Sequence, residues 1–272
     1  MMAAVSLLSC QQGDEDILAQ VFPGAMRMSS ADVDEMRRQN SAKLPKYESA
    51  YASLSEIGYR LNDGFSLDEV IGAEADNLNS MLEVGVTVLL LDAEQIGPEE
   101  DTAPELSEEQ EILVDLLWAM GGARSTETDL GYNIELYSND VSFIDFEMIE
   151  DNESYVLLMR DMAALVKNDF SIKPLRSFVS FADVEGKDEA WLEFSVNDQT
   201  RRWDFKVDYD WVDPTFFTRF DEIVETYSPN KRLWSFNDGQ ADLFFIRNEA
   251  DARKLADLIG MELRDWRAYR QN

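Results

Sequence analysis

Residues 190–230 read AWLEFSVNDQTRRWDFKVDYDWVDPTFFTRFDEIVETYSPN, and this stretch decides the fold class. In its first part Leu192, Phe194 and Val196 alternate with polar residues, which is typical of a strand with one buried face. The alternation returns in RRWDFKVDY after the turn NDQT, so the sequence predicts an antiparallel hairpin. From the predicted N-cap Asp213 onward, apolar residues recur at helical spacing. The unit is therefore strand, strand, helix.

The same unit recurs along the second half of the chain. RLWSF and ADLFFIR flank the turn NDGQ and predict a second hairpin, and NEADARKLADLIG after it predicts another amphipathic helix. A weaker version precedes both, with YNIELYS and SFIDFEMIE as strands and NESYVLLMRDMAALVKN as the helix. We therefore predict an α+β fold in which antiparallel hairpins, each followed by a helix, pack their helices on one sheet face.

The first half of the chain predicts helices instead of hairpins. LSEEQEILVDLLWAMGG is the clearest case, because Ser107 and Gln110 form a capping-box pattern and Gly121 with Gly122 ends the apolar stripe. SSADVDEMRRQ and SLDEVIGAEADNLNSMLE also have helical spacing or capping residues. The sequence thus predicts two parts, a helical and strongly acidic region over 1–125 and an α+β domain over 126–272.

The charge of the chain restricts its partners. It carries 55 acidic against 24 basic residues, a formal net charge of −31, and residues 61–123 hold 16 acids and no base. Nucleic-acid binding is excluded as an ordinary function, because Lys and Arg supply the affinity for phosphate. Salt adaptation or solubility explains the charge equally well, and the functional explanations that remain are a basic protein partner or a metal cation. On that hypothesis the acidic contact residues are Glu99, Glu100, Asp101, Glu105, Glu108 and Glu109.

The absence of histidine and the presence of a single cysteine exclude several kinds of catalytic and metal site. The chain has no histidine and one cysteine, which removes Ser-His-Asp and Cys-His catalysis, His-ligated zinc and an internal disulfide. We predict no enzyme activity and no cofactor. The remaining metal candidates are Asp208, Asp210 and Asp213, whose oxygens suit Mg²⁺ or Ca²⁺, although Asp213 is already the predicted N-cap.

The N-terminal sequence MMAAVSLLSCQQGDEDI allows two interpretations of the cellular location of the protein. LLSC resembles the residues before a lipidated cysteine, which would make Cys10 a lipid anchor in the cell envelope. Only nine residues precede Cys10 and none is basic, unlike an ordinary export signal, so we expect a cytoplasmic protein and keep the envelope as the alternative. No apolar run is long enough for a transmembrane helix.

Aromatic residues supply one further candidate contact. Trp203 belongs to the apolar face of its predicted strand, together with Phe205, Val207 and Tyr209. Trp191 instead shares a polar face with Glu193 and Ser195, so we predict that it is an exposed partner contact. The basic residues near this hairpin are expected to pair with carboxylates on neighbouring strands, and they are Arg201, Arg202, Lys206, Lys231 and Arg232.

These observations favour a non-enzymatic, acidic protein-binding module of bacterial type, such as an immunity or inhibitor protein that neutralises a basic partner. The first alternative is an envelope lipoprotein with a folded domain outside the cytoplasm. The second is a hydrolase that uses the three aspartates to hold a metal ion.

Overall fold

The structure is a computed structural model that describes residues 26–83, 89–90, 106–128, 131–181, 189–237 and 241–271. Within these residues helices are combined with sheets whose strand pairs are antiparallel, so the protein is of the α+β class, as the sequence predicts. Its helices are α1 (Ser30–Glu56), α2 (Leu67–Glu83), α3 (Glu108–Gly121), α4 (Ser154–Ala164), α5 (Thr215–Tyr227), α6 (Glu249–Ile259) and α7 (Trp266–Gln271).

The strands form four antiparallel sheets in the described part of the chain, with orders β1-β2, β3-β4, β6-β7-β8 and β11-β9-β10-β5. Two of these sheets have only two strands each. The strands are β1 (Met26–Arg27), β2 (Leu89–Leu90), β3 (Ala123–Thr128), β4 (Gly131–Leu136), β5 (Ser142–Asp145), β6 (Ile172–Ser180), β7 (Glu189–Val196), β8 (Gln199–Phe205), β9 (Arg232–Asn237), β10 (Ala241–Arg247) and β11 (Arg264–Asp265).

The β7–β8 hairpin has the register that its alternation predicts. Leu192 lies opposite Trp203, and the two strands are joined by Asn197 and Asp198, whose φ angles are 46° and 66°. Two consecutive positive φ angles define the type I′ turn, whose twist matches that of the flanking strands, and Asn and Asp tolerate it better than other side chains. The predicted β9–β10 hairpin is also present.

The earliest of the three predicted units is assembled differently. The segments YNIELYS and SFIDFEMIE contain the strands β4 and β5, but these two strands do not pair with each other. β4 pairs with β3, and β5 pairs with β10 far along the chain. β5 thereby gains a partner in the larger sheet.

The four-stranded sheet is buried on both faces. Alternate residues of β10 point to opposite sides, so that Leu243 and Phe245 enter one hydrophobic core and Phe244 and Ile246 enter the other. This placement explains why ADLFFIR is a continuous apolar run and not an alternating one. Helices therefore cover both faces of this sheet, a feature that the sequence pattern did not indicate.

The two cores have different compositions. The first core contains side chains of α4 and α5 between the inner face of β6-β7-β8 and one face of the four-stranded sheet. The second core contains α1, α2, α3 and α6 against the other face, where Trp234, Phe236 and Phe245 project. It therefore combines residues from both sides of the predicted division at residue 125, and that division itself stays a prediction.

The short C-terminal helix α7 is held by a buried polar network. Arg267 Nε lies 3.0 Å from Asp221 Oδ2 on α5, and Asp221 Oδ1 also accepts the backbone N–H of Leu233 at 3.0 Å. The indole N–H of Trp266 donates to Ser235 at 2.9 Å. The network fixes α7 against α5 and β9 because each buried polar group has a partner there.

Candidate functional site

The acidic region places two of its predicted contact residues on a helix. Glu108 and Glu109 occupy the first turn of α3 and are exposed. Ser107 caps this helix through the predicted capping box with Gln110. Carboxylates in a first turn also interact favourably with the helix dipole. The other four predicted acids lie outside the described residues, and they are Glu99, Glu100, Asp101 and Glu105.

A groove of about 470 Å³ lies beside these two glutamates, where α3 meets α1 and the end of α6. Its apolar floor is formed by Ala50, Ile112 and Leu113, which are 5–8% exposed. Glu108 and Glu109 are the carboxylates among its lining residues. The groove therefore joins an apolar surface to an acidic edge.

Lys46 on α1 is the basic residue of this groove and it pairs with Glu108. The hydrogen bond from Lys46 lowers the pKa of the Glu108 carboxyl, so Glu108 is charged at neutral pH. The pair is largely exposed, with 53% and 72% of the two side chains accessible, and its contribution to stability is therefore small.

Most other basic side chains in the described residues are already paired with carboxylates. Three of the five predicted basic residues follow this rule, and among them Arg202 pairs with Asp204 at 2.9 Å and Lys231 with Asp169 at 2.6 Å. Arg201 instead donates to the Tyr227 hydroxyl at 3.3 Å. Arg232 pairs with Asp265 at 2.6 Å. Arginines elsewhere bind Asp140, Asp221 and Glu225, among others. The bases thus neutralise only part of the carboxylates, both buried and exposed, and the chain keeps its large excess of acids.

Trp191 lies on the outer face of β6-β7-β8, as predicted, but it is half-buried. The guanidinium of Arg202 lies 4.4 Å from the centre of its ring, and Phe178 on β6 stacks against it at 6.0 Å. The neighbouring residue Glu193 pairs with Arg176 at 2.8 Å. Trp191 is therefore part of a cation–aromatic ladder within its own sheet, and its role as a partner contact stays a prediction.

The three aspartates that were metal candidates have separate roles. Asp213 is buried, and its carboxylate accepts the backbone N–H groups of Lys206 at 2.8 Å and Thr215 at 2.9 Å. It thereby caps α5, the role that its sequence position predicts. Asp208 and Asp210 are exposed in the turn before it. Among the residues that the structure describes, no group of three potential ligand side chains is arranged to hold a metal ion.

One part of the aromatic pattern is corrected by the structure. The alternation of RRWDFKVDY places Tyr209 on the buried face of a strand, but β8 ends at Phe205 and Tyr209 is 82% exposed. The reason is a tight turn, in which the N–H of Trp211 donates to the carbonyl of Asp208 at 3.1 Å. Trp203, by contrast, packs against the first core as predicted.

Sequence reasoning missed the aromatic surface that this turn creates. Trp211 and Tyr269 are 41% and 56% exposed and line a second groove of about 470 Å³. The turn residues DYDW are a signal for an exposed turn, because two aspartates flank the tyrosine. Tyr269 gives no such signal, since its position depends on how α7 packs.

The described chain is therefore an α+β protein with an acidic, apolar-floored groove and a separate exposed aromatic surface. It matches no protein-family model, no curated protein and no solved structure. Among the residues described, no helix is both long enough and apolar enough to cross a bilayer. Cys10, the candidate lipid anchor, lies outside those residues.

Proposed function

We propose that this chain is a non-enzymatic binding module for a basic protein, of the kind that immunity and inhibitor proteins represent. The observation that supports this most directly is the groove between α1 and α3, whose apolar floor is bordered by Glu108 and Glu109. A basic segment with one apolar side would bury its apolar residues against Ile112 and Leu113 and place its cations beside the carboxylates.

The charge distribution supports the same proposal. Most of the described bases already pair with carboxylates of the same chain, and the full sequence carries a net charge of −31. An acidic field of this kind accelerates the encounter with a basic partner and repels acidic proteins. The acids that precede α3 in the sequence belong to the proposed contact region as well, and they are Glu99, Glu100, Asp101 and Glu105.

Affinity capture with the full chain, followed by mass spectrometry, identifies the partner. The recovered protein is expected to be basic, and its association rate constant should fall steeply as NaCl is raised from 50 to 500 mM. Recovery of acidic or neutral proteins alone, or an association rate that does not respond to salt, would contradict the proposal.

A charge-neutralised variant locates the contact. We expect Glu108→Gln/Glu109→Gln to slow association with the captured partner by roughly three- to tenfold at low salt, because two carboxylates at the groove edge are lost. The matched control is Asp198→Asn/Glu153→Gln, which removes the same charge from the β7–β8 turn and the segment before α4. Equal rates for the two variants would place the contact away from the groove.

A further inference from the structure

The turn between β8 and α5 displays aromatic residues in an unusual way. Tyr209 has a φ angle of 52°, a left-handed conformation that an aromatic residue rarely adopts, and most of its side chain is exposed. Asp208 and Trp211 close the turn through a backbone bridge. The turn is therefore a tight backbone loop that holds Tyr209 and Trp211 outward.

A second aromatic residue, Tyr269, lines the same groove as Trp211. Both Trp211 and Tyr269 line the groove of about 470 Å³, together with Thr215 and Thr218 at the start of α5. Tyr269 packs edge-on against the buried Trp266 at 5.4 Å between ring centres, and Trp266 is anchored by its hydrogen bond to Ser235. The position of Tyr269 thus depends on Trp266 and on the polar network that holds α7.

The charge around these rings is predominantly negative. Asp208 and Asp210 are exposed on either side of Tyr209. The N–H of Ile149 donates to the carbonyl of Asp210 at 2.9 Å, which brings the loop of Glu147 and Glu150 next to the turn.

Two bases lie near the same turn. Lys206 lines the groove. Arg219 lies one helical turn after Thr215, the first residue of α5, and donates to the backbone carbonyl of Asp204 at 3.0 Å. Among the described residues that line the groove, Lys206 is the cation and Asp208 and Asp213 are the carboxylates.

We infer that the surface formed by Tyr209, Trp211 and Tyr269 with Asp208 and Asp210, here called the aromatic turn surface, binds an arginine side chain of the partner. This inference rests on the proposed function, since it assigns one contact to the same basic partner. A planar guanidinium stacks on an aromatic face and at the same time pairs with a carboxylate, which an ammonium group does less well. Exposed Trp and Tyr side chains are also the residues that most often dominate binding energy.

Hexa-arginine is a suitable probe for the full chain, with binding measured by isothermal titration calorimetry at 100 mM NaCl. We expect Trp211→Ala to weaken hexa-arginine binding by about three- to tenfold, the effect of losing one or two cation–π contacts. The matched control is Phe181→Ala, which removes another large aromatic side chain of similar exposure, 42% against 41%, and should leave binding within twofold.

Further arms keep the result interpretable. Hexa-lysine should bind more weakly than hexa-arginine, and hexa-citrulline, which keeps the shape without the charge, should not bind. Tyr269→Ser is the second variant if Trp211→Ala lowers the melting temperature. Equal affinity of the Trp211→Ala and Phe181→Ala variants for hexa-arginine would overturn the inference, as would equal binding of the two homopeptides.

The outcome is distinguishable from a failure of the proposed function. Suppose that Glu108→Gln/Glu109→Gln loses binding to the partner, whereas Trp211→Ala binds hexa-arginine as well as the unmodified chain does. This result refutes the arginine site and leaves the proposed function intact. Weakened hexa-arginine binding in Trp211→Ala supports the arginine site even when affinity capture recovers no basic protein, a result that refutes the proposed function.

Discussion

Replacing Arg267 with methionine tests whether the buried polar network holds α7 in place. Asp221 is completely buried and Arg267 is 10% exposed, with 3.0 Å between Nε and Oδ2. Arg267 also donates to the carbonyl of Lys231 at 2.9 Å. In Arg267→Met the Asp221 carboxylate would keep the N–H of Leu233 but lose its counter-ion.

The expected cost follows from that geometry. Breaking a buried ion pair by removing one partner destabilises a protein by about 3–5 kcal/mol, because the remaining charge stays desolvated. For a chain of this size the melting temperature should fall by roughly 5–9 °C. Adding Asp221→Asn to Arg267→Met removes the unpaired charge, so the double variant should recover part of the loss.

Urea unfolding followed by circular dichroism measures these differences. The matched control is Arg253→Met, because Arg253 pairs with Glu249 on α6 while 74% of its side chain is exposed, and this change should cost no more than about 1 kcal/mol. A near-ultraviolet spectrum would report on Trp266, which packs against Phe217 at 5.0 Å. A loss below about 1 kcal/mol in Arg267→Met would refute the role given to this pair.

Two further predictions concern stability. Burial raises the pKa of the Asp161 carboxyl above its ordinary value near 3.8 despite the neighbouring Arg160. Stability is therefore lost as the pH rises from that ordinary value to the raised pKa, and the loss is complete above it. Asp161→Asn should therefore increase the free energy of unfolding at pH 7. It should have little effect at pH 3, where Asp161 is protonated in the folded and the unfolded state. An equal gain at both pH values would contradict this. Gly121→Ala places a Cβ 2.9 Å from the backbone nitrogen of Phe143 and should cost about 1–3 kcal/mol in urea unfolding. In Gly72→Ala in α2 the added Cβ has no atom within 4 Å, so this change should leave the free energy of unfolding unchanged or increase it. If Gly72→Ala were the more destabilising of the two variants, close packing at Gly121 would not explain the cost.

Local signals explain why much of the fold could be predicted. The capping box of Ser107 and Gln110 begins α3 where the sequence indicates, and Asn248 and Gly260 bound α6 in the same way. The hairpins also follow from local alternation and turn residues. Each of these features depends on residues close together in the sequence, so the sequence contains enough information to predict it.

Pairings between distant segments could not be predicted in this way. β5 joins β10 because the larger sheet offers it an edge, and no local pattern in SFID specifies that partner. β3 has the sequence ARSTET, which lacks apolar alternation, and it is a strand because β4 pairs with it. Tertiary context decides both cases.

The candidate site divides in the same way. Glu108, Glu109 and the exposed aspartates could be identified from composition and turn residues. The groove beside the glutamates could not, because it needs α1 and α6 to pack against α3. Tyr269 joins Trp211 only through the packing of α7, which depends on the buried pair of Asp221 and Arg267. The acidic residues of each surface could thus be identified from the sequence, whereas the packing that brings the apolar and aromatic residues beside them could not.

The second core contains residues from both halves of this acidic chain. Residues 1–130 carry a net charge of −19 and the remainder −12, so repulsion opposes their contact. Apolar burial around Phe245 provides the main attraction. Arginines are placed where the parts meet: Arg247 pairs with Asp140 at 2.9 Å and lies 4.4 Å over the ring of Tyr59, and Arg124 joins Glu69 on α2 to Glu135 on β4. Because these arginines pair with carboxylates at this contact, they reduce the repulsion there and are not available to neutralise the remaining carboxylates of the chain.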